Sequence, residues 1–423
     1  MQLEKPKLFP QRKGFMVAMG ILISLLFIRL IFEYQSYKNF IIKPFYYTYA
    51  SVITAYEKSK NERVYTVLKL KSEEGFTFYT TTHKKESFKN KRLRLQIFPN
   101  SSISFKDYLG TFYVKSKIKF QEKSSYIFKN TVLKKVASQH QNEALKTFYN
   151  AIFFATPLVK ELRKKVSMLG VSHLVALSGF HLGILWSMVY GVLFLLYRPM
   201  QQKFFPYRHR LFDVGLITII LLAIYVWFVG SPDSLVRSYA MLLVGWGVVL
   251  FGMELVSFTF LTTIVLTLVV LFPSLLVSLS FWFSIAGVFY IFLLIHYTKQ
   301  RSKWLITLVI IPLGIFILML PIVHSIFGVT TLYQLFSPLL SILFMPFYIA
   351  AIFLHLFGMG AWFDERLLWL FSLPKESNEL FLPLWSMVAY VALSIVSIWN
   401  KKMFYILIGI AILYMFYLFI SIE

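Results

Sequence analysis

The sequence contains no cysteine, which excludes disulfide bonds, cysteine nucleophiles and thiolate metal sites. Its eight histidines form no H-x-H pair and no H-E-x-x-H motif, and no cluster of carboxylates accompanies them. The G-x-x-x-x-G-K-[ST] loop that binds nucleoside triphosphates is also missing. These absences predict a chain with no catalytic residues, no metal, no cofactor and no nucleotide-driven motor of its own.

Acidic residues are scarce: 19 Asp and Glu stand against 43 Lys and Arg, which gives a net charge of +24. Residues 44–135 contain 19 basic and 7 acidic residues, so this one segment carries half of the excess charge. It has no long apolar run. Such a basic segment favours anionic partners, either lipid headgroups or nucleic acid.

Apolar residues make up 58% of the chain, and the mean hydropathy is +0.67, which predicts a polytopic α-helical membrane protein. A cleaved signal peptide is the alternative for the first apolar run, but no cleavage site follows it. Basic loops at 198–213, 299–303 and 400–402 are assigned to the cytoplasm, as is the N-terminus. The apolar runs predict about nine spans: 14–32, 171–197, 214–230, 235–252, 257–272, 275–297, 304–324, 380–399 and 403–420.

One further apolar stretch, 332–356, does not fit a simple count of crossings. The loop after it is not basic, so we predict that the stretch enters and leaves the membrane on the outer side. Pro338 and Pro346 would break it into two half-helices. Non-helical backbone at that depth is tolerated only where it is buried in protein or lines a water path. A re-entrant segment is therefore predicted here.

Residues 44–130 alternate polar with β-branched or aromatic residues in four stretches, at 63–70, 76–79, 92–97 and 112–120. Four or five short strands predict a small extracytoplasmic β-barrel, of which the OB-fold is one kind. A basic groove with aromatic stacking would bind a single strand of nucleic acid. Aromatic residues that only fill a core, beside lysines that are only solvated, are the alternative. The candidate DNA-binding residues are Lys91, Arg92, Arg94, Lys115, Lys117 and Lys119.

The resulting domain order is a cytoplasmic N-terminus and first span at 1–43, the β domain at 44–130, amphipathic surface helices at 131–170, and a polytopic domain at 171–423. The last of these opens on polar residues within an apolar run. His173, Ser178 and His181 lie there, with Gly179 and Gly183 between and after them. Polar groups at membrane depth are costly unless they face protein or water, so this segment is predicted to face an interior or a wet path.

Two other interpretations of this segment stay open. Gly179 and Gly183 have the small-xxx-small spacing that lets two helices pack closely. Ser178 with His173 or His181 would supply a nucleophile and a base, although no acid lies nearby in sequence to orient the base. Further along the chain, Asp233 and Arg237 are four residues apart, so they would pair within one helical turn, or Arg237 would face a phosphate.

The run His-Leu-Val-Ala-Leu-Ser-Gly-Phe-His-Leu-Gly at 173–183 resembles the signature of the ComEC competence family, His-Leu-x-Ala-Ile-Ser-Gly-Leu-His-Val-Gly. Ser231-Pro232-x-x-Leu235-x-Arg237 is similar to a family Ser-Pro-x-x-x-Arg element. Residues 279–284 resemble a family Gly-Phe-Gln-Leu-Ser-Phe run without its Gly and Gln. Residues 336–346 resemble a fourth family element, without the Asn that the family often has there.

The resemblance implies a channel that carries single-stranded DNA across the bacterial inner membrane during natural transformation. It implies a short form without the family's metallo-β-lactamase-like domain. The expected partners are single-stranded DNA, the lipid bilayer, a cytoplasmic ATP-driven motor and a periplasmic DNA-binding receptor; a homo-oligomer is left open. A transporter or flippase for another anionic substrate, such as a lipid or cell-wall precursor, is the rival. The residues expected to line or support the path are His173, Ser178, Gly179, His181, Gly183, Asp233, Arg237, Ser280, Ser284, Pro338 and Pro346.

Overall fold

The fold was analysed in a computed structural model that describes residues 6, 8–9, 11–60, 63–84, 86, 88, 91–123, 127–250, 252 and 256–420. The chain divides into two compact units. The sheet unit contains residues 9–130 and 259–282. The helical unit contains residues 1–8, 131–258 and 283–423.

Seventeen helices and eight strands are distributed over these two units within the described residues. The strands are β1 (Tyr46–Lys60), β2 (Arg63–Ser72), β3 (Thr77–Thr82), β4 (Lys91–Phe98), β5 (Thr111–Tyr113), β6 (Lys115–Lys123), β7 (Val329–Thr330) and β8 (Asn378–Glu379). The helices are α1 (Arg12–Ile42), α2 (Phe105–Leu109), α3 (Ile127–Ala137), α4 (Glu143–Phe154), α5 (Lys160–Met168), α6 (Ser172–Val175), α7 (Gly179–Phe204), α8 (Arg210–Phe228), α9 (Asp233–Leu250), α10 (Phe258–Leu271), α11 (Leu279–Thr298), α12 (Lys303–Leu305), α13 (Ile311–His324), α14 (Ser337–Leu356), α15 (Asp364–Ser372), α16 (Leu384–Val396) and α17 (Lys401–Ile420).

The sheet unit is built on six strands in the order β5-β3-β2-β1-β4-β6. All neighbours are antiparallel except β3 and β5, which are parallel. Alternate residues of each strand point into one apolar core, as period-two patterns require. The core includes Leu68, Leu70, Phe78, Leu93, Leu95, Ile97 and Phe112.

Three of the four predicted strand stretches correspond to β2, β3 and β4, and the fourth is divided at Val114 into β5 and β6. The sequence did not reveal β1, although it is the longest strand at 15 residues. Its register shifts between Val52 and Thr54, where a bulge places an extra residue in the strand. A bulge reverses the inward and outward alternation on which strand prediction depends.

Helix α1 continues from a membrane-length segment directly into the sheet core. Its 31 residues extend about 46 Å, which exceeds the ~30 Å of a bilayer core. Near its end, the Tyr37 hydroxyl donates to the carbonyl of Ile103 at 2.7 Å. The buried Phe40 ring lies 5.4 Å from the Phe76 ring and 5.6 Å from the Phe112 ring. The sheet is therefore held on the end of α1 by packing as well as by the chain.

In the described part of the chain, seven helices are long and apolar enough to cross a membrane. Six of them coincide with predicted spans. Three other predicted spans correspond to shorter apolar helices, Ser234–Leu250, Phe258–Leu271 and Leu384–Val396. In α16 the cause is Pro383, which is the N-cap, so residues 380–383 are outside that helix. The seven are Arg12–Ile42, Gly179–Phe204, Arg210–Phe228, Leu279–Thr298, Lys303–His324, Leu332–Leu356 and Lys401–Ile420.

The remaining membrane-length helix, Leu332–Leu356, corrects the prediction of two half-helices in this stretch. After a 3₁₀ turn at Leu332–Phe336, α14 is continuous from Ser337 to Leu356. Pro338 is in the first turn, where the missing N–H has no helical acceptor in any case. Pro346 is inside the helix with its ring exposed, and the buried Phe344 and Tyr348 on either side pack it in place. Tertiary packing thus offsets the cost of an interior proline.

The core of the helical unit places α4 against α14 and α15. Helix α4 buries Leu145, Phe148, Tyr149, Ala151, Ile152 and Phe153. The other face of α4 is half-buried or exposed. In helix α5, Leu162 and Val166 are buried while Lys160, Arg163 and Lys164 are exposed. That these helices lie at a membrane surface stays a prediction.

We expect Gly215→Ala to destabilise the packing of α8 on α9. A Cβ at Gly215 would collide with the indole of Trp246, whereas a Cβ at Gly191 of α7 would meet open space. Overpacking of this kind costs about 1–3 kcal/mol. Thermal unfolding in detergent should show a lowered Tm for Gly215→Ala and no loss for the control Gly191→Ala. A Tm unchanged by Gly215→Ala would contradict this packing.

Candidate functional site

The polar segment at 170–183 is broken rather than one straight helix. Helix α6 ends at Val175, residues 176–178 are non-helical, and α7 begins at Gly179. Ser178 is the N-cap of α7 and has extended backbone angles. Serine favours this position because its short side chain bonds to groups of the first helical turn. The long apolar helix predicted to begin at 171 therefore begins at Gly179.

His181 is fully buried in the helical unit, with 0% of its surface exposed. Its Nδ1 lies 3.3 Å from both the backbone N–H and the hydroxyl of Ser178. Because a backbone N–H can only donate, Nδ1 accepts, and the proton of this imidazole is on Nε2. The ring lies 5.1 Å from Phe344 and 5.0 Å from Tyr348. Among the described residues Nε2 makes no hydrogen bond of normal geometry, although the Leu174 backbone interacts with the ring, so this buried donor is at best weakly paired.

His173 has different surroundings from His181. Its side chain is exposed, and its Nε2 lies 3.3 Å from the hydroxyl of Ser341 on α14. The two histidines of the signature thus lie on separate helices, α6 and α7. Both contact α14, which the sequence alone did not indicate.

The start of α9 packs on the break between α6 and α7. Ser234 donates a hydrogen bond from its hydroxyl to the carbonyl of Leu177 at 3.0 Å. An added Cβ at Gly179 would lie 2.9 Å from the Ser238 hydroxyl oxygen, so Ser238 would have to move to accommodate any larger residue. Arg237, on the same helix, is 8% exposed. The side chain of Asp233 lies outside the described residues, so its predicted pairing with Arg237 stays a prediction.

The segment before α14 packs on the other side of the signature. Ser337 donates to the carbonyl of Gly170 at 3.0 Å, and Thr331 donates to the carbonyl of Met168 at 2.5 Å. Three distant stretches, 168–181, 234–238 and 331–348, therefore meet in one place. We name this arrangement the signature core. Four of its contacts involve hydroxyls that were not among the predicted site residues, those of Ser234, Thr331, Ser337 and Ser341. Two of the four are close in sequence to predicted residues, since Ser234 is three residues from Arg237 and Ser337 is next to Pro338.

Two predicted path residues, Gly183 and Ser284, make no described contact with the signature core, whereas Pro338 and Pro346 belong to its third stretch. A Cβ added at Gly183 would meet open space, with no heavy atom of another element within 4 Å, so close packing does not require glycine there. Ser280 and Ser284 are exposed on α11, and Pro346 is exposed on α14. Pro338 is buried at the start of α14, next to Ser337.

The sheet unit has a second candidate surface, the face opposite its apolar core, which we name the outer face. Arg94 of β4 is opposite Tyr49 of β1, and its guanidinium lies 5.8 Å from the rings of both Tyr47 and Tyr49. The Arg92 guanidinium lies 4.6 Å from the Tyr49 ring. On neighbouring strands, Lys69 lies over Tyr79 and Lys117 over Phe98. Cations and aromatic rings are thus interleaved across the sheet.

The six predicted DNA-binding residues divide between the two sides of the sheet. Arg92, Arg94, Lys115 and Lys117 are on the outer face, and Lys119 is exposed at the bulge of β6. Lys91 is on the core side instead, since it is in phase with Leu93, and its ammonium donates to Gln121 at 2.9 Å. Glu73 accepts from Arg92 Nε at 2.8 Å and offsets part of the positive charge. The exposed aromatics Tyr47, Tyr113 and Phe120 were not singled out from sequence.

In the part of the chain that the structure describes, no group of three or more His, Asp or Glu side chains is arranged to hold a metal ion.

These features define a polytopic helical membrane protein with an N-terminal β-sheet and a polar core among its membrane-length helices. Residues 156–421 match the family described as Competence protein, a stretch that includes the signature core. The chain belongs to this family. No curated protein and no solved structure matches it.

Gly179 and Gly183 provide a matched test of the signature core. We expect Gly179→Leu to separate α7 from α9, because its side chain would displace Ser238. Gly183→Leu enters open space and should be tolerated. Transformation frequency, normalised to protein level in the membrane, should fall at least tenfold for the first variant and change little for the second. Equal effects would indicate that close approach at Gly179 is not what the signature requires.

Proposed function

We propose that this protein is the channel through which single-stranded DNA crosses the bacterial inner membrane into the cytoplasm during natural transformation. Membership of the Competence protein family supports a general role in DNA uptake. The observation that carries the proposal of a channel for single strands is the outer face of the sheet, where arginines and lysines lie over the exposed ring of Tyr47 and the half-buried rings of Tyr49 and Phe98.

That surface suits a single strand for two physical reasons. Its cations neutralise phosphates and release counterions, which binds any sequence. Its rings stack on unpaired bases, which a duplex keeps inside its own stack. A phospholipid would use the cations but would have no base for the aromatic rings.

We further propose that the six strands close into an OB-like barrel. Only Val114 separates β5 from β6, while β5 pairs with β3 and β6 pairs with β4. The two would act as one bent strand that joins both edges of the sheet. A hydrogen bond of 2.8 Å between the hydroxyls of Thr80 and Ser116 supports this closure.

The signature core supports the proposal of a route for a polyanion. Phosphates cannot enter hydrocarbon unpaired, so the path must offer water and positive potential. The N-terminus of α7 carries the positive end of a helix dipole. The Nε2–H of His181 is a buried donor in the same first turn, and Arg237 adds a cation on α9. In this proposal, these groups line or support the path.

The energy for transport is proposed to come from a cytoplasmic ATP-driven motor, and the strand from a periplasmic DNA-binding receptor. Neither partner's contact surface is assigned. The path is formed by one chain or by a homo-oligomer. The proposal assigns no catalytic role to Ser178.

Tyr47→Ala should weaken the binding of single-stranded oligonucleotides by the full-length protein in nanodiscs. Loss of one stacking ring costs about 1–3 kcal/mol and leaves the salt dependence unchanged, because no cation is removed. Tyr207→Ala removes a ring that is 83% exposed in a loop of the helical unit, and it serves as the control. Fluorescence anisotropy gives both the affinity and its salt dependence. Unaltered affinity in Tyr47→Ala would argue against stacking on the outer face.

Arg94→Gln should instead reduce the salt dependence, by about 0.7 in the slope of log K against log salt for one phosphate contact on a single strand. Lys106→Gln on the exposed side of α2 is its charge-matched control. A flippase for lipids or cell-wall precursors, the rival function, predicts that neither variant affects oligonucleotide binding and that headgroup competition is strong.

A further inference from the structure

A buried polar cluster in the helical unit is not part of the signature core. His140 follows α3, His355 is in the last turn of α14, and Asp364 begins α15. His140 and His355 are 4% and 7% exposed. The chain separation of 224 residues between His140 and Asp364 means that folding alone brings these side chains together.

Three contacts join the members of the cluster to one another and to the backbone. His140 Nδ1 lies 2.9 Å and 3.0 Å from the two carboxylate oxygens of Asp364. His140 Nε2 lies 3.0 Å from His355 Nε2. His355 Nδ1 lies 2.7 Å from the carbonyl of Ala351.

The donor and acceptor in each contact can be assigned, and the protons that the contacts require can then be counted. The Ala351 carbonyl only accepts, so His355 Nδ1 carries a proton. One proton must lie between the two Nε2 atoms, since two lone pairs would otherwise face each other at 3.0 Å. A third proton lies between His140 Nδ1 and Asp364. An Asp carboxylate with two neutral imidazoles has only two such protons, so the observed geometry needs one more.

We propose that His140, His355 and Asp364 form a proton-binding site that fastens the end of α14 to the α3–α4 loop and to α15. With the extra proton the cluster is electrically neutral, either as a carboxylate with one imidazolium or as a carboxylic acid with two imidazoles. Without it, a net negative charge is buried and the His140–His355 bond is lost. Both changes are costly away from water.

The groups that face the cluster support the protonated form. The Tyr149 ring of α4 is stacked on His140, with centroids 4.3 Å apart and an interplanar angle of 6°, and lies 4.5 Å from His355. An aromatic face stabilises a cation. Burial, and then the charge of Asp364, raise the pKa of Tyr149, so the phenol stays neutral. Within the described residues, Asp364 makes its ion pair with His140 and none with Lys or Arg.

The surrounding backbone is fitted to this arrangement. Gln139 donates from its amide to the carbonyl of His355 at 3.0 Å and accepts from the N–H of Gly360 at 2.8 Å. A Cβ at Gly360 would lie 2.7 Å from His355 Nε2, so glycine is needed for this approach. The turn after α14 is thus connected to the loop before α4 through the cluster.

The test compares the pH dependence of Tm for the full-length protein in one detergent, from the ordinary imidazole pKa of about 6.5 up to about pH 9. In this range the unfolded state, with neutral imidazoles and an ionised Asp364, holds two of these protons and the folded cluster holds three, so stability falls as pH rises through the titration of the folded cluster. One linked proton changes the folding equilibrium about tenfold per pH unit. The control His209→Gln changes an exposed loop histidine and should retain the wild-type slope.

Asp364→Asn should remove the fall in Tm that the wild-type protein shows as pH rises. Its amide N–H can donate to His140 Nδ1, after which His140 Nε2–H donates to His355, and every contact forms with neutral imidazoles. Any loss at the N-terminus of α15 is the same at each pH and leaves the slope unaffected. Equal slopes in the wild type and Asp364→Asn would overturn the proposal.

A second measurement needs no variant. Hydrogen exchange of the segment 355–364 in the wild-type protein, corrected for the intrinsic effect of pH on exchange, should lose protection above the same titration. Protection that is independent of pH after this correction would overturn the proposal even if Asp364→Asn does not fold.

Discussion

The carbonyl groups of the broken segment 168–178 need hydrogen-bond donors in place of those that a continuous helix would supply among apolar helices. Hydroxyls from two other parts of the chain meet this need: Ser234 bonds to Leu177, Ser337 to Gly170 and Thr331 to Met168. Each unmet carbonyl would cost several kcal/mol in hydrocarbon. This requirement positions α9, with Arg237, and α14 against the signature that contains His173 and His181.

Helix α14 connects the polar parts of the helical unit. Its first turns contact the signature through Ser337 and Ser341, its middle packs Phe344 and Tyr348 on His181, and its last turn places His355 against His140. Pro346 is accommodated because both flanks are buried. Helix α14 is therefore held by polar contacts at both ends, and these contacts connect the signature core to the His140 cluster within the helical unit.

Local patterns were enough to predict β2, β3, β4, most long apolar helices and the polar character of residues 170–183. The misses have physical causes. The bulge in β1 hides its alternation, Pro346 is tolerated only because of tertiary packing, and Lys91 points to the core side because register decides its face. Contacts such as Ser341 with His173, or Asp364 with His140, join residues more than 160 positions apart, and no single-sequence pattern contains them.

The central claim is that the strand passes through this protein into the cytoplasm. The most direct measurement deletes the chain from a transformable bacterium that carries it and follows labelled DNA into the periplasm and the cytoplasm separately. The account predicts normal arrival of label in the periplasm and none in the cytoplasm, with recovery when the chain is restored. Cytoplasmic label that persists in the deletion strain would contradict it.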